Sequence, residues 1–130
     1  MQNKIKNFVR QNKVTISILL VVIAVGIFLR TYNFHDWLHF GSDQSRDAIL
    51  VERVVNGAVS WPLLGADASN THFKLGPMYY YFQIISVKIF GIGPEKLAYP
   101  DLLFSILSIP LLFFLLKRYF STNISLALAA

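Results

Sequence analysis

The chain has 130 residues, 55% of them hydrophobic and 15% charged, with a formal net charge of +5 and no cysteine. A mean hydropathy of +0.51 is too high for a soluble domain of this size, whose apolar residues make up about half the chain and are dispersed. The basic residues stand at the ends of apolar blocks and form no stripe, which argues against a nucleic-acid partner. The absence of cysteine removes any disulfide framework or thiolate metal site.

Residues 1–13 (MQNKIKNFVRQNK) carry Lys4, Lys6, Arg10 and Lys13 and no acidic residue. The apolar run VTISILLVVIAVGIFL follows, closed by Arg30. It predicts a transmembrane helix over residues 14–30, near the lower length limit of about 17 residues for a span, with Arg30 able to snorkel. The positive-inside rule places the N-terminus in the cytoplasm and Tyr32 outside. A secretory signal peptide has the same basic start and apolar core, with Gly26 as a small residue near a cleavage point. The later apolar blocks favour an uncleaved helix.

Residues 31–76 form the one long polar region and read as an extracytoplasmic loop. Tyr32, Phe34, Trp37 and Phe40 gather just past the first span, where aromatic rings settle at the interface. Ser42 reads as an N-cap, with Asp43 in the first turn. In GSDQSRDAILVERVVNG, the residues Leu50, Val51, Val54, Val55 and Ala58 recur at helical spacing. The spacing predicts an amphipathic helix over residues 43–56 lying on the membrane surface, stopped by Asn56-Gly57. VSWPLLGADASNTHFKLGP then reads as a loop.

A second span is predicted over residues 77–92, opening on Pro77 with Tyr79, Tyr80 and Tyr81 at its outer end as an aromatic belt. GIGPEK reads as a turn. A third span over residues 97–116 contains Pro110 as a kink. Three spans put Lys117 and Arg118 outside, against the positive-inside rule. Residues 121–130 read as the start of a fourth apolar helix, and the chain as a piece of a longer one. The expected fold class is therefore an all-α, multi-spanning integral membrane protein with an interfacial helix in its first outer loop.

Asp43, on the polar face near the interface, has the chemistry of a general base; a solvated helix-start aspartate is the plainer reading. Arg46, one turn on, makes an i,i+3 ion pair or faces a phosphate, which suits its planar fork. Asp47 repels Asp43 unless a cation lies between them, either Arg46 or a divalent metal such as Mg or Mn. With only two carboxylates, no metal site is assigned. Lys74 is a second candidate phosphate contact. His72 and His35 read as ordinary loop histidines.

Two stretches at this separation, DQSRDA and LGPMYYYF, carry a resemblance. With the third-span entry LAYPDLLFSILSIP, they make the chain resemble the N-terminal part of GT-C membrane glycosyltransferases. The group is glycosyltransferase family 39, the protein O-mannosyltransferases and aminoarabinose transferases. The resemblance covers essentially the whole chain, but Gln44 stands where many relatives have a second acidic residue. It implies a plasma-membrane enzyme that moves a sugar from a polyprenyl-phosphate donor to an acceptor outside the cytoplasm, with inversion. Asp43 would be its base. Arg46, Asp47, Lys74, His72 and Tyr80 would be substrate contacts. The partners implied are the lipid-linked sugar, membrane lipid and an acceptor whose class is left open. The alternatives are a lipid-linked-sugar transporter or polymerase, and a small non-enzymatic membrane subunit.

Overall fold

A computed structural model of the chain describes residues 12–67 and 73–130. The basic start and the loop residues around His72 lie outside the described residues, and so does that candidate contact. Within the described residues the chain is all helical, with five helices and no strand: α1 (Lys13–Thr31), α2 (Ser42–Val55), α3 (Met78–Phe90), α4 (Pro94–Leu116) and α5 (Thr122–Ala129).

Contacts divide the chain into two units, residues 33–102 and residues 1–32 with 103–130. In the second of these, Leu19 of α1 packs with Phe113 of α4 and with Leu126 and Ala129 of α5. Gly26 of α1 lies against the Ile109 side chain, where any added Cβ would collide with it. Elsewhere α1 exposes large apolar side chains around its circumference, among them Leu20, Val21, Val25, Phe28 and Leu29. Both α1 and α4 are long and apolar enough to cross a membrane. At 1.5 Å per residue they rise about 28 and 34 Å, against a hydrocarbon core of about 30 Å. By the same measure α3 rises only about 20 Å.

The unit of residues 33–102 is built on α2 and α3. Val51 and Val54, one helical turn apart on α2, are buried against Tyr80, Ile84 and Val87 of α3 and Leu97 of α4. The start of α2 differs from expectation. Gly41 takes the N-cap position and Ser42 is the first helical residue. The Gln44 side chain reaches back to accept the Gly41 N–H at 3.1 Å, and Ser45 Oγ donates to the Gly41 carbonyl at 2.9 Å. At the other end Gly57 adopts φ 74°. Its N–H donates to Val54 O, and that of Ala58 to Arg53 O, at 3.1 and 2.9 Å. This is the paired closure of a Schellman motif.

Between α2 and α3 the chain doubles back. Gly65 N–H donates to Leu75 O at 2.7 Å and Leu75 N–H to Ala66 O at 2.9 Å. Pro94 begins α4 rather than closing the preceding turn, as proline's fixed φ and missing N–H suit a first helical position. The expected turn GIGPEK therefore shrinks to its glycine half. Ser86 Oγ donates to Lys96 O at 2.6 Å, tying α3 to the first turn of α4. Helix α4 runs on through Pro110.

Candidate functional site

The polar groups of the unit of residues 33–102 converge where α2 begins and α3 passes beneath it. Arg46 lies between Asp43 and Asp47, two carboxylates of its own helix. Its Nε and Nη2 donate to Asp47 Oδ1 at 3.1 and 3.0 Å, and its Nη1 to Asp43 Oδ1 at 3.2 Å. Tyr80, 5% exposed in the core between α2 and α3, donates its hydroxyl to the same Asp47 Oδ1 at 2.7 Å. Side-chain exposure rises along this row: 16% for Asp47, 50% for Arg46 and 79% for Asp43. One end is fixed in the apolar core and the other is open.

The charges shift accordingly. The Asp47 hydrogen bond, with the negative charges of Asp47 and Asp43 behind it, raises the Arg46 guanidinium above its ordinary value. Burial first, and then the hydrogen bond to Asp47, push the Tyr80 hydroxyl up to about 12. Both effects keep the network in its protonated-donor form at neutral pH.

The three consecutive tyrosines of α3 have separate partners. Tyr79 donates to Asp101 Oδ2 of α4 at 2.7 Å, and Tyr81 donates to the Pro62 carbonyl at 2.8 Å. Successive helical residues point about 100° apart, so one tripeptide fastens α3 to α4, α2 and the preceding loop. Burial, then Asp101, raises the Tyr79 hydroxyl. Asp101 was not singled out in the sequence; its position in the second turn of α4, where a helix face meets α3, was the available signal.

Lys74 is held elsewhere. Its Nζ pairs with Asp67 Oδ1 at 2.7 Å across the loop closure. Of the sequence-expected contacts the structure thus joins Asp43, Arg46, Asp47 and Tyr80, and ties Lys74 into a separate ion pair. Among the described residues no three His, Cys, Asp or Glu side chains cluster as metal ligands. The Arg46 guanidinium lies between Asp43 and Asp47, the place that the sequence leaves to either this arginine or a divalent metal.

Cavities open in this unit among the described residues. One, of about 130 Å³, is lined by His39, Gln44, Tyr79, Gln83 and Asp101. The Gln83 Oε1 is buried without a hydrogen-bond partner among the described residues. Another, of about 210 Å³, is apolar and lined by Phe40, Val51, Val87 and Ile92. Drug-sized ligand pockets hold about 300–1,000 Å³, so neither cavity encloses a lipid-linked sugar by itself. Compared with family models, curated proteins and solved structures, the chain matches none.

Proposed function

We propose that the chain is part of an integral-membrane glycosyltransferase that moves a sugar from a polyprenyl-phosphate donor to an acceptor outside the cytoplasm, with Asp43 as general base. The resemblance in DQSRDA and LGPMYYYF sets the reaction class. The observation that carries the residue assignment is the state of Asp43: Oδ1 is engaged by Arg46, while the side chain is 79% exposed. A base needs a fixed carboxylate with an oxygen free for the substrate proton.

In this reading an acceptor hydroxyl gives its proton to Asp43 as its oxygen bonds to the anomeric carbon. The bond from that carbon to the phosphate oxygen breaks, and the polyprenyl phosphate leaves with the electron pair, inverting the centre. The donor's phosphate sits at headgroup depth, so the base must be held close to the membrane surface.

The membrane arrangement that fits this role has two spans in the described chain, α1 and α4. Helix α3, at about 20 Å, is short for a span of about 30 Å. If it stays outside with α2, then Lys117 and Arg118 end α4 on the same side as Lys4, Lys6 and Arg10. The conflict with the positive-inside rule then disappears. In that arrangement Asp43 and Tyr80 lie on the extracytoplasmic side, and Asp101 lies in the outer part of the spanning helix α4.

The test is Asp43→Asn in the full-length gene product, assayed in membranes for transfer of a radiolabelled sugar from polyprenyl phosphate. Loss of a general base costs about 10²- to 10⁴-fold in rate. A variant that transfers within twofold of the wild type overturns the assignment.

A further inference from the structure

Resting on the reading of Asp43 as the base, we propose that Tyr80, Asp47 and Arg46 are positioning residues that hold Asp43 in place, and are not substrate contacts. The geometry is a series. Tyr80 is anchored among Val51, Val54 and Ile84 and donates to Asp47 Oδ1. That oxygen also takes the Arg46 Nε and Nη2 donors, so a single atom receives three hydrogen bonds. The Nε–Nη2 edge is one of the two edges with which arginine can grip a phosphate or carboxylate through two parallel bonds. Here Asp47 occupies it, so the side-on fork of Arg46 is already taken.

The guanidinium's Nη1 faces Asp43. An exposed i,i+3 pair on its own is a weak and mobile interaction. Fixed from the Asp47 side, the guanidinium presents Nη1 in one orientation, and Asp43 Oδ1 has a defined partner. Asp43 Oδ2, the other oxygen of that carboxylate, is then the atom assigned to the acceptor proton. The series also explains why a buried tyrosine hydroxyl lies on a helix that offers no catalytic group of its own. Its function is to carry the rigidity of the α2–α3 core out to an exposed carboxylate.

The experiment is steady-state transfer by the full-length protein in membranes, with Tyr80→Phe, Asp47→Asn and the double variant, normalised to folded protein. The expected result is a fall in kcat of about tenfold for each single variant, the loss that follows a small misplacement of a catalytic group. KM for the lipid-linked donor should stay within twofold. The double variant should fall no further than the worse single one, because both changes break one series.

A raised donor KM with kcat retained would make these residues substrate contacts and overturn the proposal, as would losses that multiply in the double variant. If Asp43→Asn abolishes transfer while Tyr80→Phe leaves kcat intact, the series fails and the base stands. If Asp43→Asn is active, the base assignment fails and the series falls with it.

Discussion

Tyr80 and Asp47, 33 residues apart, meet in a 2.7 Å hydrogen bond from a buried hydroxyl to a carboxylate, and that bond couples the α2–α3 core to its polar edge. It makes stability depend on alkaline pH. The Tyr80 hydroxyl is pushed up to about 12 in the folded chain, against about 10 for an unperturbed tyrosine. Its contribution is therefore complete below pH of about 10 and is lost as pH rises through about 12. Melting followed from pH 9 to 12 should show a smaller alkaline loss for Tyr80→Phe than for the wild type. Parallel curves would mean that Tyr80 makes no such contribution.

Removing the acceptor should be worse than removing the donor. Tyr80→Phe deletes one hydrogen bond to a charged group, an effect of about 1.5 kcal/mol. Asp47→Ala leaves the Tyr80 hydroxyl buried without a partner, which costs up to about 3 kcal/mol. The ordering is the prediction: in denaturant or thermal unfolding of the purified protein, Asp47→Ala should melt below Tyr80→Phe. The reverse order would show that water or another group takes over the Tyr80 hydroxyl.

Gly57 closes α2 at φ 74° with open space around its Cα. A side chain there meets no neighbour, so Gly57→Val should cost only the left-handed backbone penalty, about 1–2 kcal/mol. Gly57→Asn should cost less, since asparagine tolerates that conformation. Equal losses from the two variants, measured by unfolding, would mean that some contact and not φ sets the penalty.

How far the sequence carries can be judged from particular residues. Val51 and Val54 were legible as the apolar face of α2 because burial follows the helical period, and Asn56-Gly57 was legible as a stop because few residues tolerate φ above zero. The i,i+3 pairing of Arg46 with Asp43 follows from spacing on one helix, whereas its bond to the adjacent Asp47 does not. The partners of Tyr79, Tyr80 and Tyr81 could not be read that way. Composition made them an aromatic belt, whereas each hydroxyl finds an acceptor on a different element, and those contacts exist only once α3 is packed. The partner of Lys74 was not legible for the same reason. A lysine at the end of a polar loop has no local signal that Asp67, seven residues back, will be its partner across a chain reversal. The length of α3 was blurred by its flanks, since Gly91 and Ile92 extend the apolar run without extending the helix.

Gly26 tests the packing of α1 against Ile109 of α4. Ile109 is 2% exposed, and a Cβ on Gly26 would run into its side-chain tip. A small shift of that tip can accommodate one methyl group, so Gly26→Ala should be mild. Gly26→Val adds two branches at a buried crossing and should cost about 1–3 kcal/mol, as overpacking does. Small residues at helix crossings serve close approach in membranes. Comparable thermal stability of Gly26→Val and wild type in detergent would mean that this crossing is loose.

The two-span arrangement gives the sharpest test of membrane orientation, because the chain has no cysteine and any introduced thiol reports alone. Ala58, in the turn after α2, is exposed. Ile92, between α3 and α4, is 58% exposed, and Tyr119, after α4, is 79% exposed. With α1 and α4 as the spans, a membrane-impermeant maleimide added to intact cells should label Ala58→Cys and Ile92→Cys. Tyr119→Cys should react only after permeabilisation, since it follows Lys117 and Arg118 on the cytoplasmic side. If α3 also crosses, Ile92 and Tyr119 exchange behaviour while Ala58 does not change. Labelling at Tyr119 but not Ile92 in intact cells would place α3 across the membrane. Tyr80 and Asp101 would then lie on a spanning hairpin, and the hydrogen bonds of three tyrosine hydroxyls to carboxylate and carbonyl partners would serve the bilayer rather than an outer site.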